Sequence, residues 1–282
     1  MFLRALSFPL LLLSAFLSAS LTARAESPEI SFPHSTIDQW QGHPCHQFQI
    51  EGKNAWVVVP KKVAEGLPWT WVMEFPTAFV PRTGVPVLLE KFGICHAHLS
   101  DFNRFGCDDQ LRVMDEFYQL MVKNGFSRKP VLIGLSRGGF MAYRWAARHP
   151  NCVAGIYGDA PVCDLKSWPA GWGKGTGSKN DWEQAKSLYG WKSDDDVRAF
   201  RGNPVDDEVL TVLAQHHIPL YHVVGDADDA VPVAENTAIV EQKYRKLGGS
   251  ITVVHHPAGH HPHGLDDPSP TISFITKLLL TK

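Results

Sequence analysis

The sequence predicts an α/β fold with a mostly parallel sheet and helices on both faces. Two observations carry that expectation. Short apolar, β-branched runs alternate along the chain with longer amphipathic stretches, and one run ends in "GLSRGG" just before a helical pattern. Strands that alternate with helices need crossover connections, which bury both faces of a parallel sheet.

The runs predict strands over His46–Ile50, Ala55–Pro60, Trp69–Phe75, Ile94–Leu99, Pro130–Leu135, Val153–Tyr157, Pro219–Val224 and Ser250–His255. The amphipathic stretches predict helices over Asp108–Lys123, Gly138–Arg148, Val233–Leu247 and Ser269–Leu280. In the first of these, Leu111, Met114, Phe117, Leu120 and Met121 keep helical spacing, and Gly125 supplies the stop. No helical pattern separates the first two strands, so they are expected to pair as an antiparallel hairpin at one edge. The stretch from Cys163 to Pro204 is rich in Gly, Lys and Trp, with only short helical pieces. It reads as a cap-like insertion over the sheet, about 163–204, rather than a second domain.

The start of the chain reads differently. Arg4 precedes an apolar run from Ala5 to Leu17, and Ala23-Arg24-Ala25 follows. A basic start, a short apolar centre and an A-x-A site describe a cleavable export signal, with the cut after Ala25 and residues 26–282 as the mature domain. Losing Arg4 and Arg24, with no acid, moves the formal charge from −2 to −4. That balance argues against a nucleic-acid surface, which needs clustered Lys and Arg. No later run reaches the roughly 18 apolar residues of a membrane span. The mature chain is thus expected to be secreted or periplasmic. Its five cysteines are an odd number, and they read as buried or bridged thiols rather than a nucleophile.

The chemistry gathers on three segments. Gly134-Leu135-Ser136-Arg137-Gly138 fits G-x-S-x-G between a strand and a helix. There it describes a nucleophile elbow, a strained turn that lifts the serine hydroxyl above the sheet edge. Serine needs a base, itself oriented by an acid, and the order in such sheets is Ser, acid, His. The next strand but one ends in a loop with Asp226, Asp228 and Asp229. Asp228 is preferred because it opens a "DxxVP" frame; the other two read as solvated or capping carboxylates. After the last strand comes "HHPAGHHPHG". His260, straight after Gly259, is the first candidate for the base, His263 is the second, and His261 reads as a packing or substrate residue. An oxyanion needs backbone N–H donors. One is Arg137; the other is sought in "PTAFVP", where Pro76 has none to give and Thr77 or Ala78 is the candidate.

The chain resembles α/β-hydrolase-fold serine hydrolases over nearly all of its mature length. The likeness is to exported bacterial-type esterase-like hydrolases that carry "SRGG", "DAPVCD", "GDAD..VP..ENT" and "GHHPH", here Ser136–Gly139, Asp159–Asp164, Gly225–Thr237 and Gly259–His263. The resemblance implies a serine hydrolase with Ser136, His260 and Asp228 as its triad; the expected activity is that of a carboxylesterase, whose acyl transfer needs no cofactor. The chain departs from the pattern at Thr77, where a glycine is usual.

For the substrate, Arg137 is a candidate partner for a carboxylate, and Trp168, Trp172, Trp182 and Trp191 for stacking on sugar rings. Asp159 and His263 are candidates for lining the pocket, with Asp164 either beside them or capping the insertion. An acetyl or methyl ester of a carbohydrate is one substrate class these residues suit. Three other readings stand beside this one. A prolyl-oligopeptidase-like peptidase shares the elbow and the triad order, but usually brings a β-propeller. The histidines and aspartates could hold a metal, though without an H-E-x-x-H spacing. A binding protein could reuse the fold without catalysis.

Overall fold

The structure, a computed structural model, describes residues 30–281. The export signal expected at residues 1–25 lies outside the described residues. Among those described, no helix is long and apolar enough to cross a membrane.

The described chain opens with three antiparallel strands, β1 (Thr36–Trp40), β2 (His43–Ile50) and β3 (Lys53–Val58). Between β2 and β3 the turn residues Glu51 and Gly52 both have positive φ, 47° and 74°, the geometry that matches the twist of a two-residue hairpin. Then follow β4 (Trp69–Val72), α1 (Val85–Phe92), β5 (Cys95–Leu99), α2 (Asp108–Lys123), β6 (Val131–Leu135), α3 (Arg137–Arg148) and β7 (Gly155–Asp159). The rest is α4 (Lys179–Tyr189), α5 (Asp194–Ala199), α6 (Asp207–Gln215), β8 (Leu220–Gly225), α7 (Thr237–Lys246), β9 (Ile251–His256) and α8 (Ser269–Leu280).

The strands form one nine-stranded sheet in the order β1-β2-β3-β5-β4-β6-β7-β8-β9. It is antiparallel from β1 to β5 and parallel from β5 to β9. β4 to β8 are buried throughout, as a sheet covered on both faces requires. One face packs on α2, α3, α6 and α7 through Phe117, Trp145, Leu213 and Tyr244. The other packs on α1 and α8 through Leu88, Leu89 and Ile275. α2 and α8 keep the limits read from their spacing.

Several elements differ from the sequence reading. β1 was not anticipated: "TIDQW" is nearly all exposed, so ladder bonding to β2 rather than apolar burial makes it a strand. α1 and α6 were missed, being short helices with few polar residues to mark a period. The predicted helix over Val233–Leu247 is broken at Asn236, and α7 starts after it. The break has a structural partner: Asn236 Oδ1 accepts from the N–H groups of Cys163 and Asp164 at 2.8 and 3.2 Å. Its Nδ2 donates to Ser167 Oγ at 3.1 Å. β7 runs two residues further than its apolar run suggested, so Asp159 is its last residue and not a loop residue beyond it. The stretch after β7 carries α4 and α5 and gathers Trp168, Trp182, Tyr189, Trp191 and Phe200 around a small apolar cluster of its own. All five cysteines are unbridged.

The core holds neutral imidazoles. Burial lowers the pKa of His96 to about 3, of His98 to about 4 and of His222 to about 3. Each has a neutral partner: His96 Nδ1 lies 2.7 Å from Thr70 Oγ1, His98 Nδ1 donates to the Val72 carbonyl at 2.9 Å, and His222 bridges Tyr143 and Thr237. In the unfolded chain each would bind a proton below about pH 6.5, while the folded form resists it. Their contribution to stability is therefore complete above that pH and is lost as pH falls through the folded values, by about 1.4 kcal/mol per pH unit for each group. The thermal midpoint should drop by several degrees between pH 7.5 and pH 5; a flat profile over that interval would contradict the assignment.

Candidate active site

The site is built at the carboxyl ends of β6, β7, β8 and β9. Ser136 follows β6 with φ 51° and ψ −123°, a backbone region that costs a side-chain-bearing residue about 1–3 kcal/mol. The neighbours explain how it is held. A Cβ at Gly134 would meet Gly139 Cα at 2.5 Å, and one at Gly139 would meet Pro161 Cβ at 2.4 Å. Ser136 N–H donates to the Asp159 carbonyl at 2.8 Å, and Ser136 O accepts from Val162 N–H at 2.9 Å. The turn is clamped between strands, with its hydroxyl projecting from the top.

That hydroxyl lies 2.9 Å from His260 Nε2. On the other side of the ring, His260 Nδ1 lies 2.8 Å from Asp228 Oδ2. Asp228 is buried, and its Oδ1 accepts from the N–H groups of Ala230 and Val231 at 3.0 and 2.8 Å. Those bonds fix the carboxylate, which fixes the imidazole with Nδ1–H facing the acid and Nε2 open to the serine. Of the loop aspartates, Asp226 instead faces His255 at 2.7 Å on the exposed side.

His263 is 2 % exposed and does not reach the serine; its Nδ1 lies 2.7 Å from Asp159 Oδ1. Asp159 Oδ2 accepts from the Tyr157 hydroxyl and from Gly264 N–H. Asp159 is thus saturated and buried, which removes it as a pocket-lining substrate residue. His263 is likewise committed to this buried pair. The loop that carries both histidines is tied down by Arg82, whose Nε donates to the His263 carbonyl at 2.8 Å and whose Nη2 donates to the Gly264 carbonyl at 3.0 Å.

The remaining candidates fall in mixed positions. Arg137 opens α3, where the first turn leaves its N–H without an intrahelical acceptor. Its guanidinium is not free for a substrate carboxylate. It pairs with Glu74 at 3.4 Å and with Asp181 of α4 at 3.2 Å, and lies 4.9 Å above the Phe75 ring. Ala78 spends its N–H on the Phe75 carbonyl at 3.0 Å, so of the two candidates on that loop Thr77 is the one left. Trp168 is partly buried in the cluster of the insertion. Trp172 is more exposed, with Arg198 5.3 Å over its ring and Trp182 at a steep angle beside it.

Glu74 escaped the sequence reading. It is wholly buried, and burial raises its pKa against the opposing pull of Arg137 and of the Asn103 N–H it accepts from. A lone acid closing an apolar strand ahead of Phe-Pro was the available signal.

Comparison with solved structures returns the same architecture. The chain superposes on a puromycin-hydrolyzing peptidase from Mycobacterium tuberculosis with a TM-score of 0.63 and 14% identity, over 87% of this chain and 41% of that one. It spans less than half of that longer protein. It superposes on an S-formylglutathione hydrolase from Agrobacterium tumefaciens (TM-score 0.59, 14% identity) over 85% of this chain and 94% of that one. For Est1E from Butyrivibrio proteoclasticus the values are 0.59 and 15%, over 88% of this chain and 99% of that one. This is the α/β-hydrolase fold. No protein-family model and no curated protein matches the sequence, so the likeness rests on shape. In the α/β-hydrolase fold as built here, α3 begins directly after Ser136 and packs on one face of the sheet, and Arg137 joins that helix to α4.

The Arg137–Glu74 pair gives a test. Removing the cation leaves a buried acid unpaired, so Arg137→Ala should cost about 3 kcal/mol in urea unfolding. Adding Glu74→Gln should recover part of that loss. Equal stability of wild type and Arg137→Ala would show that the pair holds nothing together.

Proposed function

We propose that the chain is a serine hydrolase that cleaves carboxylic esters through an acyl-enzyme. One observation carries the reading: Ser136, His260 and Asp228 form a continuous hydrogen-bonded chain on a strained elbow. Ser136 Oγ attacks the ester carbonyl carbon while its proton passes to His260 Nε2, and Asp228 stabilises the imidazolium that forms. The carbonyl oxygen gathers the negative charge and takes hydrogen bonds from the N–H groups of Arg137 and Thr77. His260 then gives its proton to the departing alcohol. Water, deprotonated by the same imidazole, attacks the acyl carbon, and Ser136 leaves with the proton returned. The residues themselves supply every proton transfer.

The ester reading rests on the likeness of the "SRGG", "DAPVCD" and "GHHPH" segments to esterase-like hydrolases; the solved structures of similar shape include both esterases and peptidases. Peptide cleavage would use the same residues and remains the second reading. A carbohydrate acetyl or methyl ester stays a substrate proposal that rests on the aromatic content of the insertion. Export rests on the amino-terminal sequence alone.

A fluorophosphonate probe should label wild-type protein and fail to label Ser136→Ala. Ser136→Ala should also abolish the p-nitrophenyl acetate burst and lower turnover by at least 10³-fold, with Asp228→Asn lower by about 10⁴-fold. Retention of most activity by Ser136→Ala would end the proposal. p-Nitroanilide peptides cleaved faster than p-nitrophenyl esters would favour the peptidase reading. If the export reading holds, Edman sequencing of protein recovered from outside the cytoplasm should begin at Glu26; a start at Met1 would refute it.

A further inference from the structure

The loop after β9 brings three imidazoles to one point. The ring centroids of His260, His261 and His263 are 4.9, 5.0 and 4.9 Å apart, with interplanar angles of 66°, 77° and 88°. The rings therefore stand edge to face around a common corner, and one ligand atom from each lies within 4.8 Å of the others. Three imidazoles on one tetrahedral ion, each bound at about 2.0–2.1 Å, place their ring centres roughly 5 Å apart. The rings already have that spacing, and closing onto an ion requires them to reorient more than to travel.

The surroundings of the rings point the same way. His260 and His263 each direct Nδ1 to a buried carboxylate, Asp228 at 2.8 Å and Asp159 at 2.7 Å. This leaves Nε2 as the available donor of both. Metal-bound histidines usually carry such a carboxylate on the second ring nitrogen, which fixes the tautomer and raises the basicity of the ligand atom. Two such supports exist here, although a serine hydrolase needs only one. Arg82 holds the backbone at His263 and Gly264. His261 is exposed and rests on the Phe79 ring at 5.7 Å, so it can turn inward without disturbing the core and leaves an approach open from solvent.

We propose that His260, His261 and His263 form an inhibitory site for a divalent transition-metal ion of the zinc class. Ser136 Oγ or water would take the fourth position. Imidazole donors select Zn²⁺, Cu²⁺ or Ni²⁺ over Mg²⁺ and Ca²⁺. Inhibition follows from electron count: the Nε2 lone pair of His260 that would accept the serine proton is given to the ion, and the base is lost while the ion stays. The word inhibitory rests on the hydrolase reading above; the existence of the site does not.

The test separates the two. Co²⁺ is titrated into Ser136→Ala protein at pH 7.5 and followed by visible absorption and equilibrium dialysis, a measurement that needs no turnover. One equivalent should bind with a tetrahedral-type spectrum, and His261→Asn in the same background should weaken binding at least ten-fold. In parallel, Zn²⁺ at micromolar concentration should inhibit p-nitrophenyl acetate hydrolysis by wild-type protein, chelator should restore it, and Mg²⁺ should do nothing. Half-inhibition of His261→Asn, scored against its own metal-free rate, should need at least ten-fold more zinc. Equal metal affinity with and without His261, or no stoichiometric binding, would overturn the site. Activity lost to chelator and restored by zinc would overturn the inhibitory role. A wild-type chain that hydrolyses no ester would sink the hydrolase reading, while the Co²⁺ titration would still decide whether the site exists.

Discussion

The structure turns on a contact in which two glycines leave no room for a Cβ. Gly134 at the end of β6 and Gly139 in the first turn of α3 approach so closely that the chain between them must reverse over Ser136. The strained backbone there is sustained because the elbow is bonded on both sides to the chain at the end of β7. That chain brings Asp159 and Pro161 with it. The parallel register of β7, β8 and β9 then sets the loops of Asp228 and His260 at the same rim. The meeting of Ser136, His260 and Asp228 thus begins with close packing between a strand and a helix and is completed by the hydrogen bonds from Asp228 to His260 and from His260 to Ser136.

Around that point the polar groups are paired in layers. Asp228 is held by backbone N–H groups, His260 by Asp228, and the loop that carries His260 by Arg82. Arg137 does similar work on the opposite side, where its backbone opens α3 and its side chain links buried Glu74 to Asp181 of the insertion. The stretch that carries α4 is therefore mechanically joined to the residue next to Ser136. Its tryptophans, however, mostly spend their surface on one another and on nearby cations, which is the ordinary fate of large aromatic area.

Much of the site was legible because motif chemistry is local. G-x-S-x-G states its own turn, and an acid after one late strand and a histidine after the next are ordered by topology. The alternation of strands and helices marked the parallel sheet, and the hairpin of β2 and β3 followed from the lack of a helix between them. What failed had a common cause. β1 is made by its neighbour's hydrogen bonds, the break at Asn236 by contacts made far along the chain, and the burial of Asp159 by a strand two residues longer than its apolar run. None of these leaves a periodic trace.

By itself the sequence determined the alternation of the central strands with the longer helices, the elbow and the short list of acids and imidazoles able to serve it. Only the tertiary structure decided among them. It gave His260 to the serine and His263 to Asp159, committed Arg137 to two carboxylates, and drew His261 up beside both imidazoles. The reason is physical: composition fixes which groups can donate or accept, whereas burial and distance, which fix what each one faces, exist only after the chain has packed.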